Sequence, residues 1–141
     1  GGGMACGRVA VKPGKPVMFG RIGDAAFTGL PGNPMAAFVG FQLFVLPQIA
    51  RLTGRAPAPF AASQGRATFS WRHRPGRQEV FPVRCLGMDG TGLPLLQRLG
   101  NGVSATLFPL AGADGLATVP ALSEGVAEGD LLCWQPFCAW W

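Results

Sequence analysis

Residues 12–34 read KPGKPVMFGRIGDAAFTGLPGNP, a stretch in which two motifs rich in proline and glycine enclose two β-prone runs. The first motif, residues 12–16, holds two prolines and a glycine, which prevent regular helix or strand and predict a fixed loop. The runs at residues 17–22 and 26–30 meet at Gly23-Asp24, a dipeptide typical of a tight turn. The stretch therefore predicts a β-hairpin with a Pro/Gly motif at each end.

The second motif, residues 29–34, predicts the start of a long helix. Asn33 suits the N-cap position, and Pro34 suits the first helical position. Gly54 suits the position after the last turn, so we expect roughly 18–20 helical residues. Pro47 lies inside this segment and should kink or interrupt it, because proline lacks the backbone N–H that a helix uses.

The whole chain divides into three segments, which are residues 1–54, 55–65 and 66–141. Residues 8–11 predict a short strand, which precedes the hairpin and the helix in residues 1–54. Residues 55–65 have the Ala, Pro, Gly and Ser content of a linker. Residues 66–141 predict a small all-β barrel or sandwich, because short β-prone runs recur there between turn residues. These runs are residues 67–72, 79–86, 93–96, 103–108, 116–119 and 130–134.

The composition is apolar and its charge is unevenly distributed. Hydrophobic residues make up 48% of the chain and charged residues 13%, which excludes a disordered protein. Ten of the twelve basic residues lie before residue 79, with Asp24 as the one acid of that half. This asymmetry suggests an anionic partner, which could be nucleic acid, phosphate or an oxyanion, unless the arginines merely reflect coding bias.

Several classes of protein are not expected. The four cysteines form no CxxC pair, and the single histidine, His73, is interpreted as a solvated loop residue beside arginines, so we expect no structural zinc site. We also find no signal peptide and no uninterrupted apolar run of membrane-spanning length. A cytoplasmic protein without a membrane or nucleic-acid partner is the resulting expectation.

Lys12 and Lys15 are the only lysines in the chain, and they lie three residues apart in the first motif. An ammonium group is a compact charge that can approach an oxyanion, and prolines lower the entropy cost of presenting it. The alternative is an exposed basic turn. The second motif could offer backbone N–H groups to an anion at the helix start, or it could be only a structural connection.

Two features of the β unit could also contribute to binding. Residues 99–106 carry small polar groups that could hydrogen-bond a ligand, although a simple turn is the alternative. The strand at residues 79–86 places Phe81 and Val83 on one face and Pro82 and Arg84 on the other, which leaves Arg84 available to a ligand. The acids of the β unit mostly lie at turns, where a solvated role is expected.

Together, the Lys-Pro-Gly-Lys-Pro motif, the Gly-Leu-Pro-Gly-Asn-Pro motif, the long helix and the β unit resemble the molybdopterin molybdenumtransferase (molybdenum insertase) family, which includes gephyrin E domains. The resemblance implies that residues 1–54 close an α/β molybdopterin-binding domain and that a C-terminal β-barrel follows. It also implies a set of residues that bind molybdate and molybdopterin. They are Arg8, Lys12, Lys15, Pro16, Pro31, Gly32, Asn33, Pro34, Arg84, Asn101 and Ser104.

Within this set, Lys12, Lys15 and Pro16 would line the molybdate site, and Arg8 would add a basic group from the preceding strand. The chain departs from the family pattern in the β unit. Pro82 stands where some members have arginine, with Arg84 and Arg77 as the nearest substitutes, and Asn101 stands where serine is common.

The resemblance implies insertion of molybdate into adenylylated molybdopterin with release of AMP. Mg²⁺ would assist, held by acidic residues that we expect upstream of this chain, so we expect the chain to be an inactive fragment on its own. A homodimer is expected for the full-length protein. The alternative is a module of the same fold that binds a partner without catalysis.

Overall fold

The N-terminal part forms a small antiparallel sheet. In the computed structural model, residues 3–8, 11–12, 16–101 and 107–137 are described. The sheet has the strand order β1-β3-β4. Its strands are β1 (Met4–Arg8), β3 (Pro16–Ile22) and β4 (Ala25–Gly29).

The predicted hairpin is confirmed. Ile22 pairs with Ala25 across a turn in which Gly23 has φ of 59°, the left-handed conformation that glycine adopts without a steric cost. Strand β2 (Val11–Lys12) does not join this sheet and pairs instead in parallel with a strand of the C-terminal unit.

The predicted helix is also confirmed, with both ends where the sequence placed them. It consists of α1 (Pro34–Gly40), a π-helical turn (Phe41–Val45) and α2 (Leu46–Leu52). The Asn33 side chain accepts hydrogen bonds from the backbone N–H groups of Met35 and Ala36, at 3.1 and 3.2 Å. Gly54 ends the helix with φ of 75°.

The interruption predicted at Pro47 is a π-helical turn that lies just before the proline. In a regular helix the Pro47 ring would clash with the carbonyl group four residues earlier. A π turn widens the backbone, so that the Leu46 N–H bonds to the Phe41 carbonyl oxygen, five residues back. The helix therefore continues past the proline.

By length and composition, the helix Pro34–Leu52 could cross a membrane, although Gln42, Gln48 and Arg51 interrupt its apolar sequence. Core helices of soluble proteins have the same length and composition. Here Met35 and Val39 are buried in one cluster with Val80 and Leu116 of the C-terminal unit. The expected lack of a membrane partner stays a prediction.

The C-terminal unit is a closed barrel of five strands. The circular order is β7-β8-β5-β11-β9, closed by pairing of β9 with β7. These strands are β5 (Ser63–Ala67), β7 (Gln78–Met88), β8 (Pro94–Arg98), β9 (Gly115–Val119) and β11 (Leu131–Pro136). A two-stranded ribbon of β6 (Trp71–Arg72) and β10 (Gly125–Val126) and a short helix, α3 (Phe108–Ala111), complete the unit.

Three strand predictions need correction. The predicted strand at residues 8–11 is divided, because Arg8 ends β1 and Val11 begins β2 in a different sheet. The run at residues 67–72 is not one strand, because β5 ends at Ala67 and the chain bends before Trp71 starts the ribbon that covers the barrel end. The run at 103–108 lies mostly outside the described residues, and its last residue, Phe108, begins α3. Pro109 suits the first turn of a helix, a signal that the β-prone composition hid.

Two apolar cores share the strand β7. Phe81 and Val83 point into the barrel, whereas Val80, on the opposite face, belongs to the cluster with the helix. The helix also packs on the hairpin, since Phe44 meets Phe19 edge to face with ring centroids 5.7 Å apart. The helix therefore lies between the hairpin sheet and the barrel.

Candidate functional site

The two Pro/Gly motifs lie at the same end of the hairpin sheet. Arg8, the last residue of β1, pairs with Pro16, the first residue of β3. Two residues along β3, Met18 pairs with Gly29, the last residue of β4 and the first of the second motif. The sheet register thus brings Arg8, Pro16 and the start of the second motif together.

Lys12 connects this end of the sheet to the barrel. It pairs with Glu79 of β7, and its side chain is exposed. The backbone N–H of Leu99, just past β8, donates to the carbonyl oxygen of Pro82. Strands β2 and β8 lie along the same edge of β7. On that edge, Lys12 pairs with Glu79 and Leu99 bonds to Pro82, and these two positions are three residues, or about 10 Å, apart.

The remaining expected binding residues are placed less uniformly. Asn101 is exposed. Because β8 runs antiparallel to β7, the chain beyond Leu99 continues toward the Lys12 end of β7. Arg84 is five residues beyond the partner of Lys12, about 16 Å along the strand, and its Nε donates to the carbonyl oxygen of Gly112 at 3.1 Å. Lys15 and Ser104 lie outside the described residues.

The second motif presents its backbone beside the helix start. Pro31 is half-buried, whereas Gly32 and Pro34 are exposed. The Asn33 side chain already binds two of the first N–H groups, and Pro34 has none to offer. The motif therefore shapes the edge of the site more than it supplies free donors.

A buried polar cluster, which sequence reasoning missed, closes the barrel end beside Lys12. The Glu79 carboxylate accepts a hydrogen bond from Arg98 Nη2 at 2.9 Å and one from Trp71 Nε1 at 3.1 Å. His73 Nδ1 lies 3.2 Å from Glu79 Oε2, so it acts as a donor toward the ionised carboxylate. We refer to Trp71, His73, Glu79 and Arg98 as the barrel-end cluster.

Arg98 is enclosed by aromatic rings as well as by its acid. Its guanidinium carbon lies 3.6 Å from the ring centroid of Trp71 and 4.0 Å from that of Phe81. The side chains of Arg98 and Glu79 are only 6% and 7% exposed. A cation between two π faces and a carboxylate is stabilised where water cannot reach it.

One interpretation from the sequence is therefore wrong, because His73 is buried against an acid and is not solvated. Glu79, which lies within the predicted run at residues 79–86, is buried in β7 and does not share the solvated role expected of the acids at turns. The alternation of Trp71, Arg72, His73 and Arg74 was the available signal, because in an extended segment it puts the tryptophan and the histidine on one face.

The electrostatics of the cluster favour an ionised Glu79. Burial alone would raise the pKa of Glu79, but the hydrogen bonds and the charge of Arg98, with the hydrogen bonds from His73 and Trp71, outweigh burial and lower it. Burial lowers the pKa of Arg98, and Glu79 offsets part of that change. An arginine starts from so high a value that the pair is ionic near neutral pH.

The lowered pKa of Glu79 makes stability depend on pH. A carboxyl whose pKa falls on folding contributes stability above its unfolded pKa of about 4.3, and this contribution is lost as the pH falls through the folded-state value. We expect the free energy of unfolding, measured in urea, to decrease below about pH 4. The Glu79→Gln variant should lack that part of the slope, and identical slopes in both proteins would contradict the assignment.

The carboxylates of the described residues do not form a magnesium site. No group of three His, Cys, Asp or Glu side chains in that part of the chain could hold a metal ion. Asp89 binds Arg66 and the turn that follows it, and Asp114 accepts a hydrogen bond from the Cys85 backbone. Asp24 is exposed beside Arg21.

Comparison with known families accounts for both halves of the chain. Residues 64–137 match the MoeA C-terminal region (domain IV). Residues 1–51 match a probable molybdopterin binding domain. The chain belongs to the molybdopterin molybdenumtransferase family.

Family members from distant organisms align over most of this chain. The molybdenum cofactor synthesis protein cinnamon of Drosophila melanogaster is 39% identical over 120 residues, which cover 82% of this chain and 19% of that protein. The molybdopterin molybdenumtransferase of Haemophilus influenzae is 43% identical over 102 residues, 61% of this chain and 24% of that protein. This chain therefore spans about a fifth to a quarter of the length of these molybdopterin molybdenumtransferase relatives.

The fold agrees with the family. A crystal structure of the molybdopterin biosynthesis MoeA protein of Pyrococcus horikoshii superposes with a TM-score of 0.73 at 27% identity. The superposition covers 95% of this chain and 32% of the archaeal chain. The hairpin, the helix and the barrel are therefore the arrangement of a molybdopterin molybdenumtransferase.

Proposed function

We propose that this chain takes part in molybdenum cofactor biosynthesis, as the part of a molybdopterin molybdenumtransferase that binds molybdate during its insertion into adenylylated molybdopterin, with release of AMP. The observation that carries the proposal is the register that joins Arg8 to Pro16 and Lys12 to Glu79. Lys12 and Pro16, the described ends of the first motif, pair with the barrel and with the hairpin sheet, and Pro16 is near the start of the second motif. Family membership supports the same conclusion.

In this proposal the lysines gather the oxyanion. Lys12 and Lys15 would attract the molybdate dianion, and Arg8 would add a third cation from the adjoining strand. The fixed loop would hold molybdate in one place, which lowers the entropy cost of bringing it to the dithiolene sulfurs of molybdopterin. The buried Glu79 does not cancel the charge of Lys12, because it is already paired with Arg98.

Mg²⁺ belongs to the proposal only through residues outside this chain. A magnesium site needs carboxylates or phosphate oxygens in octahedral geometry, and the acids of the described residues are dispersed or bound elsewhere. The proposed Mg²⁺ ligands therefore lie in the remainder of a longer protein. The division into residues 1–54, a linker at 55–65 and residues 66–141 is part of the same proposal, although the barrel strand β5 already begins at Ser63.

A homodimer in the cytoplasm is also proposed. The side chains of Phe41, Ile49 and Leu52 are 37%, 47% and 71% exposed, although all three are large and apolar. Exposed apolar surface of this kind is typical of an interface with another chain or another part of the same protein.

The proposed oxyanion site can be tested by molybdate binding. Changing both Lys12 and Lys15 to Ala should weaken molybdate binding to the chain about tenfold or more, because each lost charge-assisted hydrogen bond is worth about 1.5–3 kcal/mol. Isothermal titration calorimetry at fixed ionic strength measures the change. The control is Arg51→Ala with Arg55→Ala, which removes the same charge from exposed positions at the helix end. Equal losses in both variants would show that molybdate responds only to net charge.

A further inference from the structure

The segment from Trp71 to Arg74 alternates buried anchors with exposed charges, and Arg77 adds a further exposed charge three residues later. Trp71 and His73 point inward and bind Glu79. Arg72 and Arg74 alternate with them and are exposed, as is Arg77. In an extended segment, residues two apart lie on one face about 6–7 Å from each other.

This segment is held in place at several points, although much of it is loop. Arg72 pairs with Gly125 in the ribbon, and the His73 backbone N–H donates to the Glu124 carbonyl oxygen at 3.0 Å. The Gly76 N–H donates to the Ala121 carbonyl oxygen at 2.8 Å. With the His73 ring fixed on Glu79, the arginine backbone is ordered before any ligand arrives, so less entropy is lost on binding.

The exposed arginines have no ion-pair partner in the part of the chain that the structure describes. The ion pairs there involve Arg21, Arg66 and Arg98, together with His73. Glu124 is the exposed acid whose backbone contacts this segment, and its carboxylate forms no ion pair with Arg72 or Arg74. The surface is therefore cationic.

The same surface adjoins the proposed molybdate site. Arg77 immediately precedes Gln78, which pairs with Val11, and the next pair along β7 is Glu79 with Lys12. Arg77 is thus two residues along β7 from the position that faces Lys12, about 7 Å. A ligand with two anionic groups could contact both places.

We propose that Arg72, Arg74 and Arg77 form a phosphate-binding subsite, held by the barrel-end cluster and adjacent to the oxyanion site of Lys12. Guanidinium groups match phosphate oxygens in paired hydrogen bonds, whereas lysine acts as a compact point charge. The division between an arginine surface and a lysine loop therefore fits a substrate whose phosphate groups contact the arginines while its other end meets the molybdate held by the lysines. This subsite rests on the proposed function, because the substrate named there carries phosphate groups.

Inorganic pyrophosphate is a suitable probe for the subsite. In titration calorimetry at fixed ionic strength, Arg74→Gln with Arg77→Gln should weaken pyrophosphate binding at least about tenfold, since two charge-assisted contacts are lost. The matched control, Arg51→Gln with Arg55→Gln, should change the affinity less than about twofold. Circular dichroism of each variant verifies that the fold is retained.

The possible outcomes separate this subsite from the proposed function. Equal weakening in both arginine variants, or a wild-type chain that does not bind pyrophosphate, would overturn the subsite. Failure of the proposed function would instead appear as molybdate binding that is unaffected by removal of Lys12 and Lys15. Loss of pyrophosphate binding in the Arg74 and Arg77 variant, with molybdate binding retained, is the result that we expect.

Discussion

Replacing Glu79 by Ala is expected to lower the free energy of unfolding by about 3–5 kcal/mol, because it leaves the buried Arg98 guanidinium without its counterion. Arg98 would keep its contacts with the Trp71 and Phe81 rings. Those contacts, each worth about 2 kcal/mol, are present in both proteins and so do not replace the lost pair. Urea unfolding followed by tryptophan fluorescence measures the change.

A control and a rescue variant define this result. Asp24→Ala removes a carboxylate that lies 3.8 Å from Arg21 in full solvent, and it should cost less than about 1 kcal/mol. Glu79→Leu combined with Arg98→Met should recover only part of the lost stability, because it removes both buried charges but leaves the Trp71 and His73 donors without their acceptor. If Glu79→Ala cost no more than Asp24→Ala, the pair would not be buried as described.

Gly115→Ala should destabilise the barrel by about 3 kcal/mol, which is the upper part of the usual range for an overpacked core. A methyl group at this position would meet the Gln135 carbonyl oxygen and the Trp134 ring, whose two nearest atoms would be 2.7 and 2.8 Å away. Gly115 pairs with Pro136 on one side and with Val83 on the other, where β9 closes the barrel. Neither neighbouring strand can move without opening that closure.

Gly90→Ala is the matched control for this substitution, because nothing lies within 4 Å of a Cβ at Gly90. Its midpoint in thermal unfolding should stay within about 2 °C of the wild type, whereas that of Gly115→Ala should fall by more than about 10 °C. A similar midpoint for the two variants would mean that the contact between β9 and β11 is looser than the geometry indicates.

The local features of the fold could be predicted from sequence because they depend on backbone preferences. Asn33, Pro34 and Gly54 mark the helix ends through rules that involve only a few neighbouring residues. The Gly23-Asp24 turn follows from the same kind of rule. The irregularity that the sequence predicts at Pro47 is confirmed. A π-helical turn, and not a break in the helix, avoids the clash of the proline ring with the preceding turn.

The barrel-end cluster was beyond such rules because its members approach one another only in the folded barrel. Glu79 and Arg98 are nineteen residues apart in sequence, and Trp71 joins them from a third element. The three arginines near His73 suggest that its side chain is exposed to solvent. Only the folded structure shows that this side chain contacts the buried Glu79. The pairing of β2 with β7 was missed for the same reason, since a two-residue strand has no periodicity to detect.

That pairing also determines the order in which the chain can assemble. Val11 meets Gln78, sixty-seven positions later in the chain, and closing a loop of that length has an entropic cost that a ladder of two residues cannot offset alone. Strand β2 must therefore dock onto a barrel that has already folded. Lys12 reaches its place as a late event of folding, and its two-residue strand is among the first segments that a partial unfolding would release.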